Sequence, residues 1–234
     1  MNKILLFQPP ETHDCSYLDG EQSRSVYVDP RAELDGTTLT LLSLNGFRRS
    51  GRLMYRPACP TCSACLPVRI RLNDFLPSRS HKRTERRNND LTLEVSMPDG
   101  SAECYELYER YISERHRDGD MYPPGEQQYQ DFLVSDFGTT RFLKVRHQEK
   151  LIACMVFDML EDGLSAVYSF FDPDEQERSL GTWLILQLNH IALGLGLHYD
   201  YLGYYVRESR KMTYKRKFAP LDALIDGKWT LLSP

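Results

Sequence analysis

Nowhere in the 234 residues does an apolar run approach the roughly 20 residues that a membrane-spanning helix needs. The opening MNKILLFQPPETHDC lacks the apolar stretch and small-residue cleavage site of a secretory leader, so a cytoplasmic chain with no membrane partner is expected. No GxxxxGK loop cradles phosphate, and no Ser, His and Asp constellation suggests an acyl-enzyme hydrolase. Internal repeats and low-complexity segments are absent too. An excess of positive charge is also missing: 29 Lys and Arg stand against 33 Asp and Glu, for a net charge of −4, which excludes a uniformly basic polyanion binder. The chain exceeds the usual domain size of about 100–150 residues, so one large or two small domains are expected.

The positive charge that is present is concentrated. Residues 78–90 carry Arg79, Lys82, Arg83, Arg86 and Arg87, and residues 207–217 carry Arg207, Arg210, Lys211, Lys215, Arg216 and Lys217. A charge run is commonly a solvated face. In RESRKMTYKRKF, however, Met212, Tyr214 and Phe218 interleave with the cations, a pattern that can stack bases while neutralising phosphates.

The first half is punctuated by Pro and Gly, leaving room for short strands and one helix near 36–47. LTLEV at 91–95 alternates as a half-buried strand does. Cys104, Leu107, Tyr108, Tyr111 and Ile112 recur at helical spacing within 101–117, and a shorter helix is expected near 126–136. RFLKVRH, LIACMVFDML and LSAVYSFFD then read as an antiparallel meander over 141–172, followed by a helix over 179–196 and a strand over 199–206. This order predicts an α+β chain: a smaller N-terminal cysteine-containing domain over 1–90 and a GNAT-like N-acetyltransferase-type domain over 91–234.

In YRPACPTCSACLPVRI, Cys59, Cys62 and Cys65 follow a CxxCxxC spacing suited to soft metals, with Cys15 the natural fourth ligand and His13 a substitute. Four reduced, packed thiols are the alternative. Cys104 and Cys154 fall on apolar patterns and are expected in the core. The start of the long helix, RSLGTW, offers amides for an anion or an acyl oxygen, or is an ordinary helix start. His190, inside that helix, is expected to be a core histidine.

HDCSYL, YRPACPTCSACLPVRI, PSRSHKRTERRN, YERYISERHRDGDMYPP, YSFFDP and YLGYYVRESRKMTYKRKFAPL, in this order, resemble the aminoacyl-tRNA protein transferase family, specifically its bacterial aspartate/glutamate leucyltransferase branch. Arginyltransferases of that family have a CxxC where this chain has Cys15-Ser16-Tyr17-Leu18. The resemblance implies transfer of leucine from leucyl-tRNA to proteins beginning with Asp or Glu, which creates a bacterial N-degron. It implies no cofactor for the transfer itself, with zinc or an iron–sulfur cluster possible at Cys15, Cys59, Cys62 and Cys65.

Under that reading an acidic N-terminus needs cationic readers, and Arg56, Arg69 and Arg71 flank the cysteine segment. Lys82, Arg83, Arg86, Arg87, Arg207, Lys211, Tyr214 and Lys215 are the expected tRNA contacts. Tyr168 and Tyr204, on neighbouring expected strands, are candidates to relay a proton or orient the ester; each has an alternative as a core tyrosine. An arginyl donor, an acetyl-CoA-dependent N-acetyltransferase and a metal-stabilised RNA-binding module are the rival readings.

Overall fold

Short, turn-rich stretches come first in the chain. In the computed structural model, which describes residues 4–232, they give β1 (Leu6–Phe7), β2 (His13–Asp14), β3 (Gln22–Ser23), β4 (Ser25–Val28), α1 (Gly36–Leu44), β5 (Arg48–Ser50) and β6 (Leu53–Pro57). Asp35 caps α1 by accepting a hydrogen bond from the Thr38 amide at 2.8 Å, as an N-cap carboxylate does. β1, β4, β6 and β5 form one sheet, while β2 and β3 pair separately.

The chain continues through β7 (Leu66–Arg71), α2 (Arg79–Arg87), β8 (Leu91–Ser96), α3 (Ala102–Arg115) and α4 (Glu126–Tyr129), which runs into a π turn at Gln130–Val134. After these come β9 (Thr140–His147), β10 (Lys150–Met159), β11 (Gly163–Phe171), α5 (Leu180–Gly194), β12 (Tyr199–Tyr205), a 3-10 segment at Arg210–Phe218, β13 (Leu221–Ile225) and β14 (Lys228–Leu231). The α+β class and the antiparallel β9–β10–β11 meander are as expected from the hydrophobic periods.

Eight strands lie in the order β14-β13-β7-β12-β11-β10-β9-β8. β7 therefore sits inside the large sheet, between β13 and β12, although it precedes residue 90. A division into 1–90 and 91–234 does not follow the sheets. The one parallel junction, β11 with β12, pairs only Gly163–Ser165 with Tyr199–Tyr201; both strands then run on without pairing to each other. Nonpolar side chains of β7, β10 and α5 fill one face of the sheet, and α3 with Tyr129 and Leu133 covers a second cluster around Phe142, Cys154 and Phe170. Cys104 and Cys154 are in that core, as expected.

Three features differ from the sequence reading. In β8 the alternating Leu93 and Val95 are exposed rather than buried on one face. The basic tract at 78–90 is helix α2, whose inward face is polar: His81, Thr84 and Asn88 are buried at spacings of three and four. Hydrophobic periodicity has nothing to detect there, although the Ser78 capping box marks the start. His190 is half-exposed rather than in the core, and its Nε2 meets Glu85 of α2 at 2.8 Å.

The N-terminal unit, β1–β6 with α1, is fastened to the large sheet by a buried ion pair. Arg49 Nε donates to Asp158 Oδ2 at 2.7 Å, with both side chains under 10% exposed (2% and 8%), and Thr140 Oγ1 donates to the other carboxylate oxygen at 2.6 Å. Removing one partner strands the other charge in the interior. Asp158→Ala is therefore expected to lower the unfolding free energy by about 3–5 kcal/mol in urea titrations.

Candidate active site between the parted strands

Where β11 and β12 stop pairing, a cavity of about 340 Å³ opens between Ala166–Ser169 and Leu202–Tyr204. Arg48, reaching in from β5, occupies the gap. Its Nη2 donates to the Ala166 carbonyl at 2.7 Å, and its Nη1 is buried with no hydrogen-bond partner. Gly203, at φ 79°, leaves the room: a Cβ there would lie 2.1 Å from Arg48 Nη1.

Lys215, brought by the 3-10 segment, lines the same cavity and is 6% exposed. Its Nζ donates to the Tyr204 carbonyl oxygen. Burial, reinforced by the neighbouring Arg48 charge, lowers its pKa to about 7, because the charged ammonium is poorly solvated there. Among the described residues no carboxylate lines this cavity; behind it, the buried Asp200 of β12 lies close enough to Arg48 for the guanidinium to oppose the rise that burial gives the Asp200 pKa.

A second cavity, of about 710 Å³, adjoins the first along a wall of Tyr17, Tyr55 and Tyr204 that both share. Cys15, Cys59, Cys62, Cys65 and Arg56 line it. Burial, with the nearby thiols of Cys59, Cys15 and Cys62, pushes the Cys65 thiol up to about 11. Cys59 Sγ donates weakly to the Arg24 carbonyl at 3.7 Å, and Cys62 Sγ accepts from the Ala64 amide at 3.5 Å. The four thiols thus line one cavity. Among the described residues, however, no three Cys, His, Asp or Glu side chains converge as a metal-ligand set, so this arrangement does not fit zinc or a cluster.

The candidate residues divide. Tyr168 lines the first cavity, and burial raises its phenol pKa. Tyr204 lines both cavities, but its hydroxyl donates to the carbonyls of Gly46 at 2.8 Å and Tyr55 at 3.2 Å, so it clamps the N-terminal unit instead of offering a free proton. Arg56 lines the larger cavity, its guanidinium 5.0 Å over the Phe47 ring. Arg69 lines neither cavity: it is buried against Asp222, the Tyr201 hydroxyl and the rings of Tyr199 and Trp229. Arg71 joins the same cluster through Asp222 at 2.6 Å and is also outside both cavities.

The two basic tracts meet. His81 of α2 stacks on Phe218 with ring centroids 5.1 Å apart, setting Lys82, Arg83, Arg86 and Arg87, all exposed, on the element beside the 207–217 tract. Arg87 donates to the Glu177 carbonyl. Arg207 is exposed, Lys211 is exposed and pairs with Asp118 at 3.1 Å, and Tyr214 lines the smaller cavity. Lys215, by contrast, is too deeply buried to serve as a surface phosphate contact. Residues 179–182 at the start of α5 line neither cavity. Arg48, Tyr17 and Tyr55 were not singled out by sequence. The one local signal for Arg48 was the glycine inside YDYLGYYV, since a strand-interior Gly marks a close approach by another group.

Two family models match the chain: "Arginine-tRNA-protein transferase, N terminus" over residues 13–83 and "Arginine-tRNA-protein transferase, C terminus" over residues 103–225. A protein of Alcanivorax borkumensis named aspartate/glutamate leucyltransferase is 46% identical, covering 98% of this chain and 94% of that one. Another of the same name from Teredinibacter turnerae is 49% identical, covering 93% and 90%. Among solved structures, FemX aligns with a TM-score of 0.47 at 10% identity, over 83% of this chain and 68% of that one.

Gly203→Ala forces a side chain onto Arg48 at a positive φ, whereas Gly20→Ala, at φ 78° with nothing within 4 Å, meets only the backbone penalty. Gly203→Ala is expected to cost about 1–3 kcal/mol more than Gly20→Ala in paired urea unfolding curves.

Proposed function

The chain belongs to the arginine-tRNA-protein transferase family, and on that basis we propose that it transfers leucine from leucyl-tRNA to the α-amine of proteins beginning with Asp or Glu. The observation that carries this reading is the pair of cavities meeting at one tyrosine wall, because a two-substrate transfer needs two cradles with a common boundary. The smaller cavity, cationic and between parted strands, suits the ester end of an aminoacyl-tRNA. Its setting, a meander, a long helix and a strand running parallel to the last meander strand, has the GNAT-like order. The exposed cations of α2 and of residues 207–217 flank this site as a phosphate-binding surface.

The larger cavity takes the acceptor N-terminus, and Arg56 reads its carboxylate by paired hydrogen bonds. Arg56 replaces Arg69 and Arg71 in this role, since those two are held by Asp222. An aminoacyl ester is already activated, and an α-amine with a pKa of about 7.7–8.0 has a useful neutral fraction near neutrality. The amine therefore attacks the leucyl carbonyl directly, with no covalent enzyme intermediate, and positioning supplies much of the rate. No step runs through a metal or cofactor. In this reading the product's bulky hydrophobic N-terminus serves as a degradation signal in the bacterial cytoplasm.

The test incubates the protein with labelled leucyl-tRNA or arginyl-tRNA and peptides beginning with Asp, Glu, Lys or Ala. Label should pass from leucyl-tRNA to the Asp and Glu peptides alone. Label only from arginyl-tRNA overturns the donor, and label on no peptide overturns the reaction class. Arg56→Glu should lower kcat/KM for the Asp peptide on the order of 100-fold, with leucyl-tRNA affinity unchanged.

A further inference from the structure

Aminolysis of an ester creates one transient oxyanion and requires one proton to travel from the attacking nitrogen to the departing oxygen. Both tasks match the two cations, Arg48 and Lys215, that line the cavity between β11 and β12. Resting on the transferase reading of this cavity, we propose that Arg48, through its free Nη1, holds the oxyanion, and that neutral Lys215 relays the proton from the acceptor amine to the tRNA 3′-oxygen.

Three geometric facts support this assignment. Arg48 lines the cavity, with Nη2 tethered to the Ala166 carbonyl and Nη1 packed over Gly203 without a hydrogen-bond partner, so the guanidinium is held in place with a donor unspent. Such a fixed donor is what stabilises charge appearing only in the transition state. Lys215 is held in place by the Tyr204 carbonyl and, among the described residues, is the one amine that lines the cavity. The alternative proton carrier, Tyr204, has its hydroxyl committed to two backbone carbonyls.

The electrostatics around Lys215 agree. Arg48 from β5 faces it as a permanent cation and disfavours its protonation, and Cys65 from the loop before β7 stays a neutral thiol near neutrality. Around the cavity, burial raises the phenols of Tyr17, Tyr55, Tyr204 and Tyr168, so none is an anion that would hold a proton on Lys215. Tyr111 from α3 and Tyr214 from the 3-10 segment are raised likewise, and burial lowers the pKa of His116 after α3. With a pKa of about 7, Lys215 has both its neutral and its protonated form available near neutrality.

The step balances without a co-reactant. The amine lone pair forms the C–N bond while the carbonyl π pair moves onto oxygen, beside Arg48. Lys215 takes one proton from that nitrogen. The oxyanion then re-forms the C=O bond and expels the 3′-oxygen, which recovers the proton from Lys215.

Single-turnover transfer from leucyl-tRNA to an Asp peptide tests this assignment as a function of pH. Below neutrality the wild-type log rate should rise with a slope of about two, because both the acceptor amine and Lys215 must lose a proton. Lys215→Arg keeps the charge but stays protonated: its rate should fall by about 100-fold or more, its slope should drop to about one, and leucyl-tRNA Kd should be unchanged. Arg48→Met should lose about 100-fold in rate while keeping the slope of about two. A wild-type slope of one, or a Lys215→Arg defect confined to tRNA affinity, overturns the proposal. No transfer by the wild type at any pH overturns the transferase reading, and this proposal with it.

Discussion

Arg48 reaching across to the Ala166 carbonyl is the contact on which the site depends. Two parallel strands with complementary edges tend to keep pairing, and β11 and β12 do so for only three residues before parting. Past that point the guanidinium accepts the role of a missing ladder partner at Ala166, and the absent side chain of Gly203 gives it space. The result is a gap that is held open without leaving the Ala166 carbonyl unsatisfied, which an interior would penalise.

That contact also joins the two halves of the chain. Arg48 and Arg49 are adjacent on β5, and alternation sends them to different partners: Arg48 into the cavity, Arg49 to Asp158 of β10. Tyr204 adds a third tie from β12 to the Gly46 and Tyr55 carbonyls. Tyr204 and Tyr55, joined by the last of these ties, also form part of the wall between the cavities, so one docking contact helps to separate the two cradles. The buried amine of Lys215 beside the Arg48 guanidinium opposes folding, and the surrounding packing must offset it.

Much of the fold was legible in the residues. Apolar and aromatic runs between turn signals marked β9, β10, β11 and β12, helical spacing marked α3 and a long apolar stretch marked α5, because composition and spacing within one element are local information. Helix α2 escaped because its buried face is His81, Thr84 and Asn88. Position in the large sheet was equally hidden for β7, since strand pairing over more than a hundred residues leaves no mark on local periodicity.

For the site, the sequence by itself determined the class of chemistry: a cysteine-lined segment, two basic tracts and a chain-wide resemblance to tRNA-dependent transferases. Which cation does what was decided only by the tertiary structure. Arg69 and Arg71 looked equivalent to Arg56 beside the cysteines, yet β7 carries the first two into an ion-pair cluster with Asp222 and leaves Arg56 on the cavity. Lys215 looked like one more cation in a basic tract, and folding buries it beside Arg48. Charge can be read from the residue type, whereas desolvation and the identity of a neighbour depend on which distant segments the fold brings into contact.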